Sequence, residues 1–258
     1  MIHVDLHPGC TGRRYAVLRP LTGVEELTFA AGEAFAGTAL IDKLLVPAAG
    51  ACVGPGQADA LPVADRDRLI AALYKACFGE RIESVCRCGA CGERFEFNFL
   101  IDEIASRAAD GRAAEGPDAD GYFALESGGR FRLPTVTDLK AIAGFDRDTA
   151  LARLRERCTQ DATGHDDIDA AMERAGPLLS CDLDARCPNC SNGETVRFDI
   201  EHYFLTALAV ERRYLTREIH ILASAYHWPL SEIVSLPRED RRALVRCVKA
   251  GQRAGVLG

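Results

Sequence analysis

Four cysteines stand in two Cys-x-x-Cys turns, Cys88-Gly-Ala-Cys91-Gly and Cys187-Pro-Asn-Cys190. Two thiolates at this spacing can both reach one ion at ~2.3 Å, and two such turns complete a tetrahedron, so the expected chemistry is structural zinc binding by Cys88, Cys91, Cys187 and Cys190. A closed four-thiolate site leaves no open coordination position, so it holds structure and does not activate water. Two other readings exist for such pairs. A thioredoxin-like redox pair needs a βαβ context, which neither turn has, and disulfides are the remaining alternative. The turns are 95 residues apart, whereas zinc ribbons commonly separate theirs by ~15–20. The chain between them is therefore expected to form a subdomain inserted between two hairpins, and a clip across so long a loop stabilises most in principle.

Cys86 and Cys181 lie just upstream of the two turns. They are either alternative ligands or strand residues facing the core. Cys10, Cys52, Cys77, Cys158 and Cys247 are scattered and read as packing residues. The total of eleven is odd, which excludes complete pairing into disulfides within one chain. The N-terminus, MIHVDLHPGCTGRR, lacks the apolar core of a secretion signal, and no apolar run reaches the ~18 residues needed to cross a bilayer. A soluble protein in the reducing cytoplasm is expected, with no membrane partner.

The histidines do not form a second site. His3 and His7 lie in the N-terminal arm, His165 among aspartates, and His227 beside Trp228. His202 and His220 are five turns apart on one helix. No nucleophile elbow, phosphate-binding loop, His-Glu-x-x-His or dinucleotide fingerprint occurs, and no paired acid and base suggests itself. No enzymatic activity is expected.

Periodicity places these residues on elements. Residues 1–60 read as an irregular N-terminal portion, with strand-like pieces from Ala16 to Phe29 broken by Pro20 and Gly23, and one short helix, Thr38 to Val46. Residues 61–200 read as a cysteine-knuckle α+β domain, and residues 201–258 as a helical segment. Asp65 can cap a helix that Gly79 ends. Arg81 to Ile104 switches to alternation around the first Cys-x-x-Cys turn, which predicts a β-hairpin. A second hairpin is expected around Ser127-Gly128-Gly129. Thr135 and Asp138 suit a capping box, and a further helix ends at Cys158. Asp161, Asp166, Asp167 and Asp169 read as an acidic loop. The hairpin theme then returns at Cys187 as a weak internal repeat, with one or two extra residues in its turn. A long helix from Ile200 to Tyr226 follows, then two short ones, the last ending at Gly251. The fold class expected is α+β, with zinc-ribbon-like cysteine-knuckle hairpins and a largely helical remainder.

The chain is acidic overall, at −7, yet from Glu201 onward it is net +3. That end reads either as an exposed tail docking on an acidic partner through Arg241, Arg242 and Arg246, or as an ordinary solvated helix face. The competing function is a zinc-ribbon nucleic-acid-binding or regulatory module. The net charge and the uncharged turn residues Gly89, Ala90, Pro188 and Asn189 make nucleic acid a poor partner.

Several segments recur together in order: LPVADRDRLIAALYKACFGERIESVCRCGACGERFEF, FRLPTVTDLKAI, LARLRERC, ARCPNCSNGETVRFDI and REIHILASAYHWPLSEIVSLPREDRRALV. This arrangement resembles the baseplate hub assembly proteins of contractile-tailed phages and their counterparts in phage-like contractile injection systems. The resemblance spans roughly residues 61 to 250, and its most specific part is the closing Ala-Tyr-x-Trp-x-x-x-Glu-Ile-x-x-Leu-Pro pattern. Pro229 departs from it by replacing a capping serine, Cys86 is an addition, and the first 60 residues are not covered. The resemblance implies a structural or assembly protein whose partners are baseplate hub or spike proteins, found in the cytoplasm or in an assembled tail particle. It also implies two cysteine knuckles, mapping to Cys88, Cys91, Cys187 and Cys190.

Overall fold

The computed structural model describes residues 1–10, 13–28, 32–110, 116–125, 128–161 and 166–253. The chain opens with an antiparallel pair, β1 (Ile2–Cys10) and β2 (Arg13–Leu18), then two helices, α1 (Gly23–Thr28) and α2 (Ala36–Leu44). Helix α3 (Val63–Phe78) leads into a hairpin of β3 (Arg81–Arg87) and β4 (Arg94–Leu100), followed by α4 (Ile101–Asp110). A small insert carries β5 (Phe123–Ala124), β6 (Arg130–Phe131), α5 (Val136–Ile142), α6 (Arg147–Cys158), β7 (Thr159–Gln160) and α7 (Asp166–Ala175). A last hairpin, β8 (Ser180–Arg186) with β9 (Gly193–Asp199), runs into α8 (Ile200–Tyr226), α9 (Leu230–Ser235) and α10 (Arg238–Arg253). The class is mixed α and β, with small antiparallel hairpins among helices.

The main core joins distant parts of the chain. Val4, Leu6, Ala16 and Leu18 of the first strand pair meet Leu69, Ile70 and Leu73 of α3, and Phe204 and Leu208 of α8 close the cluster. The expected irregular opening is thus partly replaced by paired strands. Ile2, Val4 and Leu6 alternate with His3, Asp5 and His7, and that alternation turns one face of β1 inward. Asp65 does not cap α3, which starts two residues earlier with Pro62 preceding it. The carboxylate is instead fully buried in the first helical turn, where it accepts the His7 amide at 2.7 Å and Arg68 Nη1 at 2.7 Å. Arg68 also donates to the His7 carbonyl, so both backbone polar groups of one β1 residue are satisfied by α3.

Glu201, in the first turn of α8, makes a similar tie. Its Oε1 accepts the Gly37 amide at 3.1 Å and its Oε2 meets Arg66 at 3.0 Å, joining α2, α3 and α8. A Cβ at position 37 would lie 2.5 Å from that carboxylate, so a larger residue there would have to push the Glu201 side chain out of this tie.

The insert has its own small core of Phe123, Leu125, Phe131, Leu133 and Ile168. The predicted capping box at Thr135 and Asp138 is present. Asp138 does more than cap: it is 1% exposed and accepts Arg132 at 2.6 Å and Arg157 at 2.9 Å. The segment expected as an acidic loop is in part helical, since α7 begins at Asp166. Asp161 lies before α7, at a positive φ of 56°, and His165 falls outside the described residues. At the other end Gly251 does not stop α10, which continues to Arg253.

The C-terminal arginines are not a free docking face. Arg241 is fully buried and reaches Glu26 at 2.8 Å and Glu218 at 2.7 Å. Arg242 bonds Glu211 and Glu218, and Arg238 lies 4.6 Å over the Phe78 ring. A buried guanidinium persists only where carboxylates compensate its lost hydration, so these charges anchor α10 to α8 and α1. Of Arg241, Arg242 and Arg246, the expected docking residues, only Arg246 is exposed.

Arg241→Glu should therefore cost about 4 kcal/mol by stranding the buried Glu26 and setting a like charge against Glu218, while Arg246→Glu should change stability by less than about 0.5 kcal/mol; urea denaturation of the two variants checks this. Asp138→Asn should cost about 3 kcal/mol at neutral pH. Its carboxyl faces an opposing cost of burial, yet the hydrogen bonds and charge of Arg132 and the bonds from Thr135 hold it far below the usual carboxylate range. A group depressed in the folded state stabilises above its unfolded pKa, so this contribution fades as pH falls below about 4. The variant should accordingly show a shallower loss of stability than the unsubstituted protein between pH 5 and 3 (both approximate bounds), measured by urea midpoints.

Candidate metal centre

The two knuckles are built alike. Cys88 directly follows β3, its amide donates to the Glu93 carbonyl at 2.9 Å, and its carbonyl accepts the Gly92 amide at 2.9 Å. Cys187 directly follows β8, with its amide on the Asn192 carbonyl at 3.0 Å and its carbonyl under the Ser191 amide at 2.9 Å. The turn closes through a left-handed residue in both cases, Gly92 at φ 74° and Ser191 at φ 61°. Glycine adopts that conformation freely, whereas serine is uncommon there.

The repeat is closer than the sequence suggested. Strand for strand and knuckle for knuckle, the second unit follows the first at a constant offset of 99 residues, from Arg81 and Ser180 to Ile101 and Ile200. No extra residue is inserted in the second turn. This register also explains the two ambiguous cysteines. Cys86 matches Ala185 and Cys181 matches Ile82, both apolar packing positions. Neither Cys86 nor Cys181 joins the four-cysteine cluster.

The hairpins pack tip to tip. Phe95 and Ala185 are buried between them, flanked by Cys86, Phe97 and Val196. Glu194 of β9 reaches across and accepts the Gly89 amide of the other knuckle at 2.7 Å, while Asn192 Nδ2 donates to the same oxygen at 2.8 Å. Nothing in the sequence marked Glu194; its role depends on a knuckle about a hundred residues away.

The four sulfurs of Cys88, Cys91, Cys187 and Cys190 all lie within 4.8 Å of one another. Cys88 and Cys190 are 3.5 Å apart at Sγ, and Cys91 and Cys187 are 3.7 Å apart. Disulfides require about 2.05 Å. A tetrahedron with metal–sulfur bonds of ~2.3 Å has edges of ~3.8 Å, so the cluster has the size a four-thiolate ion fills. Cys88 and Cys187 are buried and Cys91 and Cys190 exposed, so the site sits at the surface with two ligands inward. The Glu93 amide, followed by Asn189, holds the Cys91 thiol down to about 6. The Asn192 amide favours a thiolate at Cys190, but the crowding sulfurs of Cys88 and Cys91 outweigh it and push that thiol up to about 12. A divalent cation among four sulfurs this close would draw them together as thiolates. The four cysteines can thus hold a metal ion.

Burial pushes the thiols of Cys77 and Cys158 up to about 11. Cys10 has no described side chain. His202 and His220 lie on α8 as expected, away from the cluster.

Among protein families, the T4 bacteriophage base plate protein family matches residues 12–163. The chain belongs to this family. No curated protein and no solved structure matches it. The matched region takes in β2 through α6 and so reaches well into the first 60 residues, which the resemblance drawn from sequence left uncovered. It includes Cys88 and Cys91, but the second knuckle and the closing Ala225-Tyr226 to Leu236-Pro237 pattern lie beyond it. The chain is accordingly a structural baseplate protein, and none of its helices is long and apolar enough to cross a membrane, among the described residues.

Proposed function

We propose that this chain is a non-enzymatic structural or assembly protein acting at the hub of a contractile-tail baseplate, around the central spike. In this reading Cys88, Cys91, Cys187 and Cys190 hold one structural zinc ion. Family membership supports the baseplate role. The single observation supporting the metal is the convergence of four sulfurs from turns 95 residues apart, with no nitrogen or carboxylate in the set. Zinc suits such a site because a filled d shell imposes no competing geometry and brings no redox chemistry. Bound there, it would fasten the two hairpins into one unit and leave no position for a substrate. The protein would be made in the cytoplasm and would meet hub or spike proteins there as the tail assembles.

Metal analysis of the purified chain should find one zinc per molecule. Cys91→Ser and Cys190→Ser should each lose it and lower the melting temperature by roughly 10 °C, whereas Cys86→Ser and Cys181→Ser should retain it. Iron in place of zinc, or no bound metal in the unsubstituted protein, would overturn the assignment. For the hub role, the immobilised chain should retain its own system's hub or spike proteins, identified by mass spectrometry. Retention of other baseplate components alone would sink that placement.

A further inference from the structure

Among the described residues, two surfaces of opposite character have no partner within the chain. The first is a groove of about 660 Å³ between the α5–α7 insert and the β8–β9 hairpin. Its floor is aliphatic, formed by Val63, Ile104, Leu133, Leu139 and Met172. Leu178 stands on its lip at 45% exposure. The charged residues around it are mainly acidic: Asp169, Glu173 and Asp182 against Arg197 alone. Arg155 bonds Asp169 and Arg197 bonds Asp182, which leaves Glu173 facing solvent with no cation among the described residues.

The second surface is the outer face of α8. Phe204, Leu208, Leu215 and Leu222 turn inward. Val210 and Tyr214, one turn apart on the opposite side, are 47% and 43% exposed. Arg213 lies 4.8 Å from the Tyr214 ring centre and donates to its hydroxyl at 3.0 Å. Arg217 extends the strip by another turn. Neither Arg213 nor Arg217 meets a carboxylate among the described residues, although the chain as a whole is at −7.

We infer that the α8 strip of one copy docks into the groove of a second copy. Val210 and Tyr214 enter the aliphatic floor, and Arg213 and Arg217 face the unpaired Glu173 on its rim. The two surfaces complement each other in apolarity and in charge, the combination by which an amphipathic helix is held in a groove. One copy cannot satisfy itself. Arg197 lines the groove at the strand that feeds α8, and Val210 lies ten residues, about 15 Å, along that unbroken helix. Because the joined patches differ, the contact is head-to-tail, and it closes into a ring where the rotation between copies permits. This inference stands independently of the metal and of the hub reading.

Light scattering coupled to size exclusion tests it. Above about 10 μM the full-length chain should elute with a mass at a multiple of 28.0 kDa. Tyr214→Asp in the strip and Leu178→Asp at the groove should each give a monomer, with unchanged circular dichroism showing that the exposed substitutions leave the fold intact. Arg217→Glu should act as Tyr214→Asp does. Mixing the two single-site variants is decisive: each keeps one good surface, so together they should form a one-to-one dimer and nothing larger. An unsubstituted chain that stays monomeric at every concentration overturns the inference. So do variants that still assemble, or a mixture that stays monomeric.

Discussion

Phe95 and Ala185, buried between two hairpin tips, bring together stretches of chain that the sequence separates by 95 residues. Closing a loop of that length costs about 4 kcal/mol in chain entropy, so the tips meet only because several interactions act at once. The apolar contact supplies one, the reach of Glu194 to the Gly89 amide supplies another, and both β3 and β8 also rest on the main core. The consequence runs in both directions. The insert from β5 to α7 has few buried residues of its own, and its two ends are positioned by the hairpins. The four sulfurs, in turn, converge only while those hairpins stay together.

Charge is handled in the same cooperative way. Asp65, Asp138, Glu26 and Arg241 are all buried, and an isolated ion in such surroundings would be strongly destabilising. The compensation draws distant chain together: the His7 amide of β1 joins Arg68 at Asp65 of α3, Arg132 just past β6 and Arg157 of α6 serve Asp138 of α5, and Glu26 of α1 with Glu218 of α8 serve Arg241 of α10. These ties have direction as well as strength. A helix held by bidentate carboxylate contacts cannot slide by one turn without stranding its partner, so the polar network fixes the relative positions that apolar packing alone would leave adjustable.

What was legible in the sequence follows from this distinction. Local signals read correctly: the long helix from Ile200 to Tyr226, the Thr135–Asp138 box, the left-handed Gly79 after α3, and both knuckle hairpins. The constant offset of the repeat was obscured because the matched strands share shape and not composition. Phe95 stands opposite Glu194 in the alignment, and Val85 opposite Asp184. Long-range compensation was invisible. Arg241 looks like any surface arginine on an amphipathic helix, since its partner Glu26 is 215 residues away. Asp65 likewise has the residue type and place of a cap, and only the arrival of β1 gives it a different task. The four cysteines were the exception among distant groups, because their spacing in two pairs carries information that a single charged residue does not.

The way the main core is assembled also bears on synthesis. Leu69, Ile70 and Leu73 leave the ribosome long before Phe204 and Leu208, which complete the cluster around them. At ordinary elongation rates the interval is roughly ten seconds. During that time α3 and the first strand pair carry apolar surface that nothing downstream yet covers, while the insert already has everything its own small cluster requires. A nascent chain of this protein is therefore most exposed to aggregation or chaperone capture through its N-terminal third, and that exposure ends abruptly once the first two turns of α8 emerge.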